Sequence, residues 1–343
     1  AESLHRPEEV EPARPLRVAL ARAFGRSWLE AAMWLSSWDD AWLLLAVEGK
    51  IEHDYVKDAF GANEAKAALH TRRRALLAAA PVALVPNAAR KGRAELDEWG
   101  GCVHPEQLLS SPNRALKAAF VLHSLEAQCT SSGGERGTVA FAKAMGSLLV
   151  LPPAHLERRI VGGHGLIAAC ASGCAASADL DGFESMWVRQ ALPCPTLKAN
   201  FQYVRRKYVV ELVLVLPPRD ASALTGPLRV SWGEAANSED GAYVQEEVLT
   251  LTNEHMQMHE LTVDARRRRG GKRRKSGGGD MKEEAMVEEA YNETAAVPLL
   301  WLRVDPSLEW ACRVAWSGRP REPLWSGMPE GMVRDQLQLD RCV

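Results

Sequence analysis

Near Pro193 the hydrophobic pattern changes its period, and that change limits what the chain can become. Before it, apolar residues recur every three or four positions: Leu16, Leu20, Ala23 and Phe24, then Trp38, Trp42 and Leu45, then Ala115, Ala119, Leu122 and Leu125. That spacing belongs to one face of a helix. After it they alternate: Leu197, Ala199, Phe201 and Tyr203; Leu228, Val230 and Trp232; Leu300, Leu302 and Val304; Trp310, Cys312, Val314 and Trp316. Alternation sends apolar side chains to one side of a strand. A helical part is therefore followed by a β part, and the fold class this predicts is α+β multidomain.

Runs from Tyr208 to Leu216, Tyr243 to Thr252 and Leu261 to Val263 complete seven or so short strands, which predicts a β-sandwich. The expected layout is a loose, proline-rich segment over 1–15, a helical region over 16–192, a sandwich over 193–320 and a further helical start over 321–343. Within the helical region, residues 81–104 look looser, and TSSGGERG at 130–137 reads as a flexible break. The chain opens on Ala1 with no signal peptide and stops on LDRCV in mid-pattern, which reads as a piece of something longer. Its 343 residues are 46% hydrophobic, enough for real cores, and no run of eighteen apolar residues suggests a membrane span. Seven Cys is an odd, sparse count that points to a reducing compartment and away from a disulfide framework. A net charge of -2 excludes a uniformly basic DNA-coating protein but leaves room for a local basic patch.

That patch is the run RRRRGGKRRK, in which Arg266, Arg267, Arg268, Arg269, Lys272, Arg273, Arg274 and Lys275 are basic. SGGG follows, and then an acidic stretch with Glu283, Glu284, Glu288, Glu289 and Glu293. Such a segment cannot bury apolar surface, so a disordered insertion in the sandwich is expected at about 265–296. It is either a solvated loop alone or also a nuclear-localisation signal with DNA-phosphate contacts. Other chemistry is thin. His255 and His259 have i, i+4 spacing in strand-like sequence, where it does not bring ligands together. Cys170 and Cys174 read as small buried residues of a helix, and Trp28, Trp34, Trp38 and Trp42 read as helical core. GGKRRKS does not place Lys and Ser as a phosphate loop requires, and there is no G-x-S-x-G elbow.

A helical segment, WDDAW leading into another helix, FGANE, more helices and then a sandwich resemble the zinc aminopeptidase-like (gluzincin) superfamily. Active members carry an H-E-x-x-H helix followed by FGN, and later a W-x-x-x-W-L-N-E-G-F segment with the third zinc ligand. Phe24 and Gly25 match the FG; Trp38, Trp42 and Leu43 match the second motif. Aligned on Phe24–Gly25, the first His, the catalytic Glu and the second His fall on Arg17, Val18 and Ala21; aligned on Leu20–Ala21, they fall on Val18, Ala19 and Arg22. The third ligand falls on Leu45. None of these side chains supplies a zinc donor or a general base, so neither metal nor catalysis is expected.

The second half is similar to the catalytically inactive branch of this superfamily found among the TBP-associated factors of the transcription factor TFIID. The resemblance lies in residues 186–216, in the basic insertion with its acidic linker, in PLLWLRVDP from Pro298 to Pro306, and in the terminal QLQLDRCV. It implies the helical remainder of an aminopeptidase-like domain, an Ig-like β-sandwich and the start of a helical-repeat region. It also implies a nuclear, non-enzymatic role without cofactor, with other TFIID subunits and promoter DNA as partners, and with no membrane or small-molecule substrate. A zinc-dependent aminopeptidase and an aminopeptidase-fold scaffold outside transcription are the competing readings.

Overall fold

A computed structural model describes residues 14–85, 105–149, 159–174, 179–204, 207, 209–217, 224–235, 242–263 and 299–316. The helical part holds α1 (Arg14–Ala32), α2 (Trp42–Phe60), α3 (Ala62–Ala78), α4 (Pro105–Ser110), α5 (Pro112–Leu149), α6 (Gly163–Ala171) and α7 (Leu180–Phe183). A π-helical turn, Glu184–Arg189, leads towards the sandwich. Local chemistry sets several boundaries. Gly61 at φ 96° lets α2 stop and α3 start without a linker, a conformation that few side chains tolerate. Pro105 and Pro112 occupy first helical positions, where a missing N–H costs nothing. Ser37 caps the 3-10 turn Trp38–Ala41 by accepting from the Asp39 N–H.

Trp42 to Val47 are apolar and buried, so the first turns of α2 are enclosed on all sides and form the centre of the helical layer. α1, α3 and α5 pack around it. Two three-residue strands, β1 (Met33–Leu35) and β2 (Arg159–Val161), pair in parallel beside it, with Trp34 opposite Ile160. Strands so short show no period in sequence. The TSSGGERG segment is no loop: α5 runs through it and breaks only at Gly134, where φ is 55°. Ser132 Oγ and Thr138 Oγ donate to the carbonyls of Gln128 and Gly134 respectively.

One expectation about the helical core is corrected, that of the tryptophans, and the face that α1 buries is a different one from its most regular apolar stripe. The stripe Leu16, Leu20 and Phe24 faces outward at 63%, 46% and 72% exposure, and of the four tryptophans only Trp42 is core. Trp28, Trp34 and Trp38 are 49–57% exposed. The inward face of α1 is set by contact with α2: a Cβ on Gly25 would lie 2.8 Å from Ile51 Cδ1, and Leu29 one turn later is fully buried. Leu29→Ala should therefore cost about 2–5 kcal/mol. Phe24→Ala should stay within about 0.5 kcal/mol, as an exposed substitution does. Urea midpoints of the two variants test this, and equal losses would refute it.

The β part is a two-sheet sandwich. One sheet holds β7 (Met256–Thr262), β4 (Val209–Val215), β3 (Thr196–Val204) and β9 (Arg313–Trp316) in that order; the other holds β6 (Ala242–Leu251), β5 (Gly226–Ala235) and β8 (Leu299–Val304). All neighbours are antiparallel except β3 and β9. Alternation works as read: Leu197 and Ala199, Val210, Leu212 and Leu214 point inward from one sheet, and Leu228, Val230 and Trp232 from the other. One continuous buried cluster joins this core to Trp42, Phe120 and Leu125 of the helices. The expected insertion at about 265–296, the segment 321–343 and most of 1–15 lie outside the described residues. Among the described residues no helix is long and apolar enough to cross a membrane, and five cysteines are free thiols.

Candidate site at the crossing of the first two helices

The positions where a zinc site would fall lie on α1 and α2. Arg17 is exposed, donates to Tyr55 Oη at 3.0 Å and stacks its guanidinium 5.1 Å from the Phe60 ring centre. Val18 and Ala21 are half-buried, Ala19 is exposed and Leu45 is buried in the core. Arg22 reaches across to α2, donating to Glu48 Oε1 from Nε at 2.9 Å and from Nη2 at 2.7 Å. Glu48 lies one turn after Leu45 and is buried, with Arg26 Nη1 3.6 Å from its other oxygen. Glu52, one turn further, is shared by Arg22 at 3.4 Å and Arg72. Arg72 also donates to the Gly49 carbonyl.

Three guanidinium groups thus surround two carboxylates. A fork of planar N–H donors fits a carboxylate well and holds this crossing together. The arrangement is electrostatically opposite to a metal centre, because the group facing Glu48 already carries a positive charge. Among the described residues no cluster of three His, Cys, Asp or Glu could hold a metal ion. His255 and His259 flank and enter β7, and burial lowers the His259 pKa. The eight basic residues from Arg266 to Lys275 lie outside the described residues.

A second cluster, which the sequence did not reveal, lies in the PLLWLRVDP segment. Asp305 is fully buried and turns the chain after β8 at φ 55°. Its Oδ1 accepts from the Glu309 N–H at 2.7 Å; its Oδ2 accepts from the Trp310 N–H at 3.3 Å and from Arg73 Nη1 of α3 at 2.9 Å. Burial pushes the Asp305 carboxyl up to about 7, against the opposing pull of Arg73 and the two N–H groups. Glu309 accepts from Arg229 Nε at 2.9 Å, and Arg229 continues to Ser131 on α5 at 3.2 Å. Ser124 Oγ donates to the Glu309 carbonyl at 2.6 Å. Trp310 is buried against Trp187, with ring centres 6.3 Å apart, and its indole N–H donates to the Pro227 carbonyl at 2.9 Å. The motif is thus the joint between sandwich and helices. Its partners are up to 232 positions apart, and no local pattern announces them.

Residues 193–319 match the family model described as the TAF2 Ig-like domain. No curated protein matches the sequence. Among solved structures, the crystal structure of Legionella pneumophila aminopeptidase A in complex with aspartic acid is similar over 73% of this chain and 25% of its own, at 13% identity and a TM-score of 0.47. The chain spans about a quarter of that structure's length. The seven-strand sandwich occupies the matched residues from β3 to β9, so this part of the chain is similar to the TAF2 Ig-like domain.

Proposed function

We propose that the protein is a non-catalytic subunit of the general transcription factor TFIID, a scaffold that also contacts core-promoter DNA as the RNA polymerase II preinitiation complex assembles in the nucleus. The observation that carries this reading is the TAF2 Ig-like domain over residues 193–319. In this reading residues 16–192 are the remainder of an aminopeptidase-like domain, the sandwich spans 193–320 with its insertion at about 265–296, and 321–343 opens a helical-repeat region. Other TBP-associated factors and promoter DNA are the partners, with no cofactor. The lack of catalysis is supported by Arg17, Val18, Ala19, Ala21, Arg22 and Leu45 at the ligand and base positions. The ion pair of Arg22 with Glu48 supports it further.

Three measurements test the proposal. Tagged protein expressed in its own nucleus should co-purify with TBP and other TFIID subunits; a clean preparation without them would overturn the assignment. Purified protein should hold no stoichiometric zinc and release no product from aminoacyl amides, and one tightly bound equivalent of zinc would revive the peptidase reading. Replacing Arg266–Arg269 and Lys272–Lys275 with Ser should abolish nuclear accumulation and flatten the salt dependence of DNA affinity. Every phosphate that the variant no longer neutralises takes about 0.9 off the slope of log affinity against log salt. Phosphate neutralisation carries no sequence information, so the weakening should be equal on promoter and unrelated DNA. If localisation, affinity and slope all stay put, the run is only a solvated loop.

A further inference from the structure

One side of β7 is open. The strand ends its four-strand sheet, and all seven of its residues, Met256–Thr262, pair with β4 on the other side. Among the described residues nothing pairs with the open side. The Leu216 N–H donates to the His255 carbonyl at 2.8 Å, and in an antiparallel ladder such bonded pairs recur at every second residue. Gln257, His259 and Leu261 therefore turn their N–H and C=O towards β4, while Met256, Met258, Glu260 and Thr262 turn theirs to the open edge. The same alternation sorts the side chains. Gln257 and Leu261 are buried, whereas Met256 and Met258 stand 64% and 62% exposed on the outer face. Val215 and Val213 of β4 lie directly opposite them and are half-buried, so four apolar side chains form one patch that reaches the rim of the sheet.

An exposed edge is a template for a further strand, and folded proteins ordinarily guard it with Lys, Pro or a bulge. β7 has none of these: its register with β4 is unbroken, and Met256–Thr262 contains neither Lys nor Pro. Its surroundings carry one sign of charge. From Ala242 to Val263 the chain holds Glu246, Glu247, Glu254 and Glu260 and no Lys or Arg. Glu246 and Glu260 are met by Arg229 and Lys207. Glu247 and Glu254 are exposed, the first on β6 within electrostatic reach of His259 and the second just before β7 starts. We propose that the open edge of β7 binds an extended segment of a partner protein in which apolar residues alternate with Lys or Arg, adding a strand to the sheet.

Each side of the added strand has its place. Residues hydrogen-bonded to Met256 and Met258 share their outer face, so apolar side chains there extend the patch of Met and Val. Residues between them point to the opposite face, towards β6, where Lys or Arg meets Glu247; a basic side chain at the end beside Met256 meets Glu254. A second copy of this chain fits less well, because two such edges side by side bring glutamates against glutamates.

A fluorescent synthetic peptide of alternating Val and Lys is titrated into the full folded chain and followed by anisotropy and by backbone hydrogen exchange. Saturable binding is expected, with slowed exchange at the amides of Met256, Met258 and Glu260. The same peptide N-methylated at every Val, and a peptide of alternating Val and Glu, should each bind about tenfold more weakly or worse. Met258→Pro removes one outward N–H and leaves the ladder to β4 intact, as an edge position allows. Met258→Lys puts a guarding charge on the edge. Each variant, shown to be folded by circular dichroism, should weaken binding of the Val–Lys peptide about tenfold. Failure of that peptide to bind folded wild-type protein overturns the proposal, as does binding that a folded Met258 variant leaves unchanged. Equal binding of the Val–Glu peptide overturns the basic partner. A dimer that excludes the peptide and that Met258→Lys dissociates gives the edge to a second copy and overturns the proposal too.

Discussion

Trp310→Ala should cost about 3–5 kcal/mol, one of the largest single losses available in the chain. Trp310 is 1% exposed and fills the space between Trp187 at the end of the helices and the start of β5. Truncation removes that packing and leaves a cavity bounded on two sides by elements that cannot both collapse into it. It also strands the Pro227 carbonyl, whose partner is the indole N–H, and an unpaired buried acceptor adds about 1–3 kcal/mol. Trp310→Phe separates the two contributions. It keeps most of the ring volume and loses the donor, so its cost should fall between wild type and Ala. Denaturant midpoints with an unchanged m-value would measure both. A loss below about 1 kcal/mol for Trp310→Ala would mean that the sandwich does not depend on this joint.

How much of this was legible in sequence depends on the range of the interaction. The strands were legible because each sheet buries one face, which imprints a two-residue period on Leu197 to Tyr203 and Leu228 to Trp232. The existence of α1 was legible, but the face it buries was not. Leu16, Leu20 and Phe24 form the more obvious stripe, yet Gly25 and Leu29 go inward because Ile51 of α2 comes within reach of Gly25. The TSSGGERG segment has poor intrinsic helix propensity. Packing holds it helical except at Gly134: Gly133 seats closely on Gly173, and the Ser132 and Thr138 hydroxyls fold back onto carbonyls one turn earlier instead of capping a break. At the α1–α2 crossing, the lack of zinc donors could be read from single positions. The pairing of Arg22 with Glu48 could not, since the two lie 26 residues apart. The PLLWLRVDP motif carries a family resemblance in its sequence, whereas its physical content, a buried aspartate clamped by an arginine from α3, exists only once the chain is folded.

The buried Asp305 should make stability fall as pH rises from about 4 to about 7. Its ordinary pKa of 3.8 is raised to about 7 in the folded protein, because removing the carboxylate from water costs more than Arg73 and two N–H groups return. Below about pH 4 both folded and unfolded chains carry the proton, and the stabilisation is fully present. Between about 4 and 7 the folded chain holds a proton that the unfolded chain has lost, so stability declines with pH at up to 1.36 kcal/mol per unit, about 4 kcal/mol across the window. Above about 7 both have released it and the slope ends. Asp305→Asn keeps the shape and one acceptor but cannot titrate. The stability of wild type minus that of Asp305→Asn should therefore grow by roughly 2–4 kcal/mol when the pH is lowered from 8 to 4. Arg73→Met should extend the sloping window to higher pH, since the cation that favours the charged carboxylate is gone. A wild-type minus Asp305→Asn difference that stays flat with pH would show that Arg73 and the two backbone donors keep Asp305 ionised throughout, and that desolvation is the weaker force at this joint.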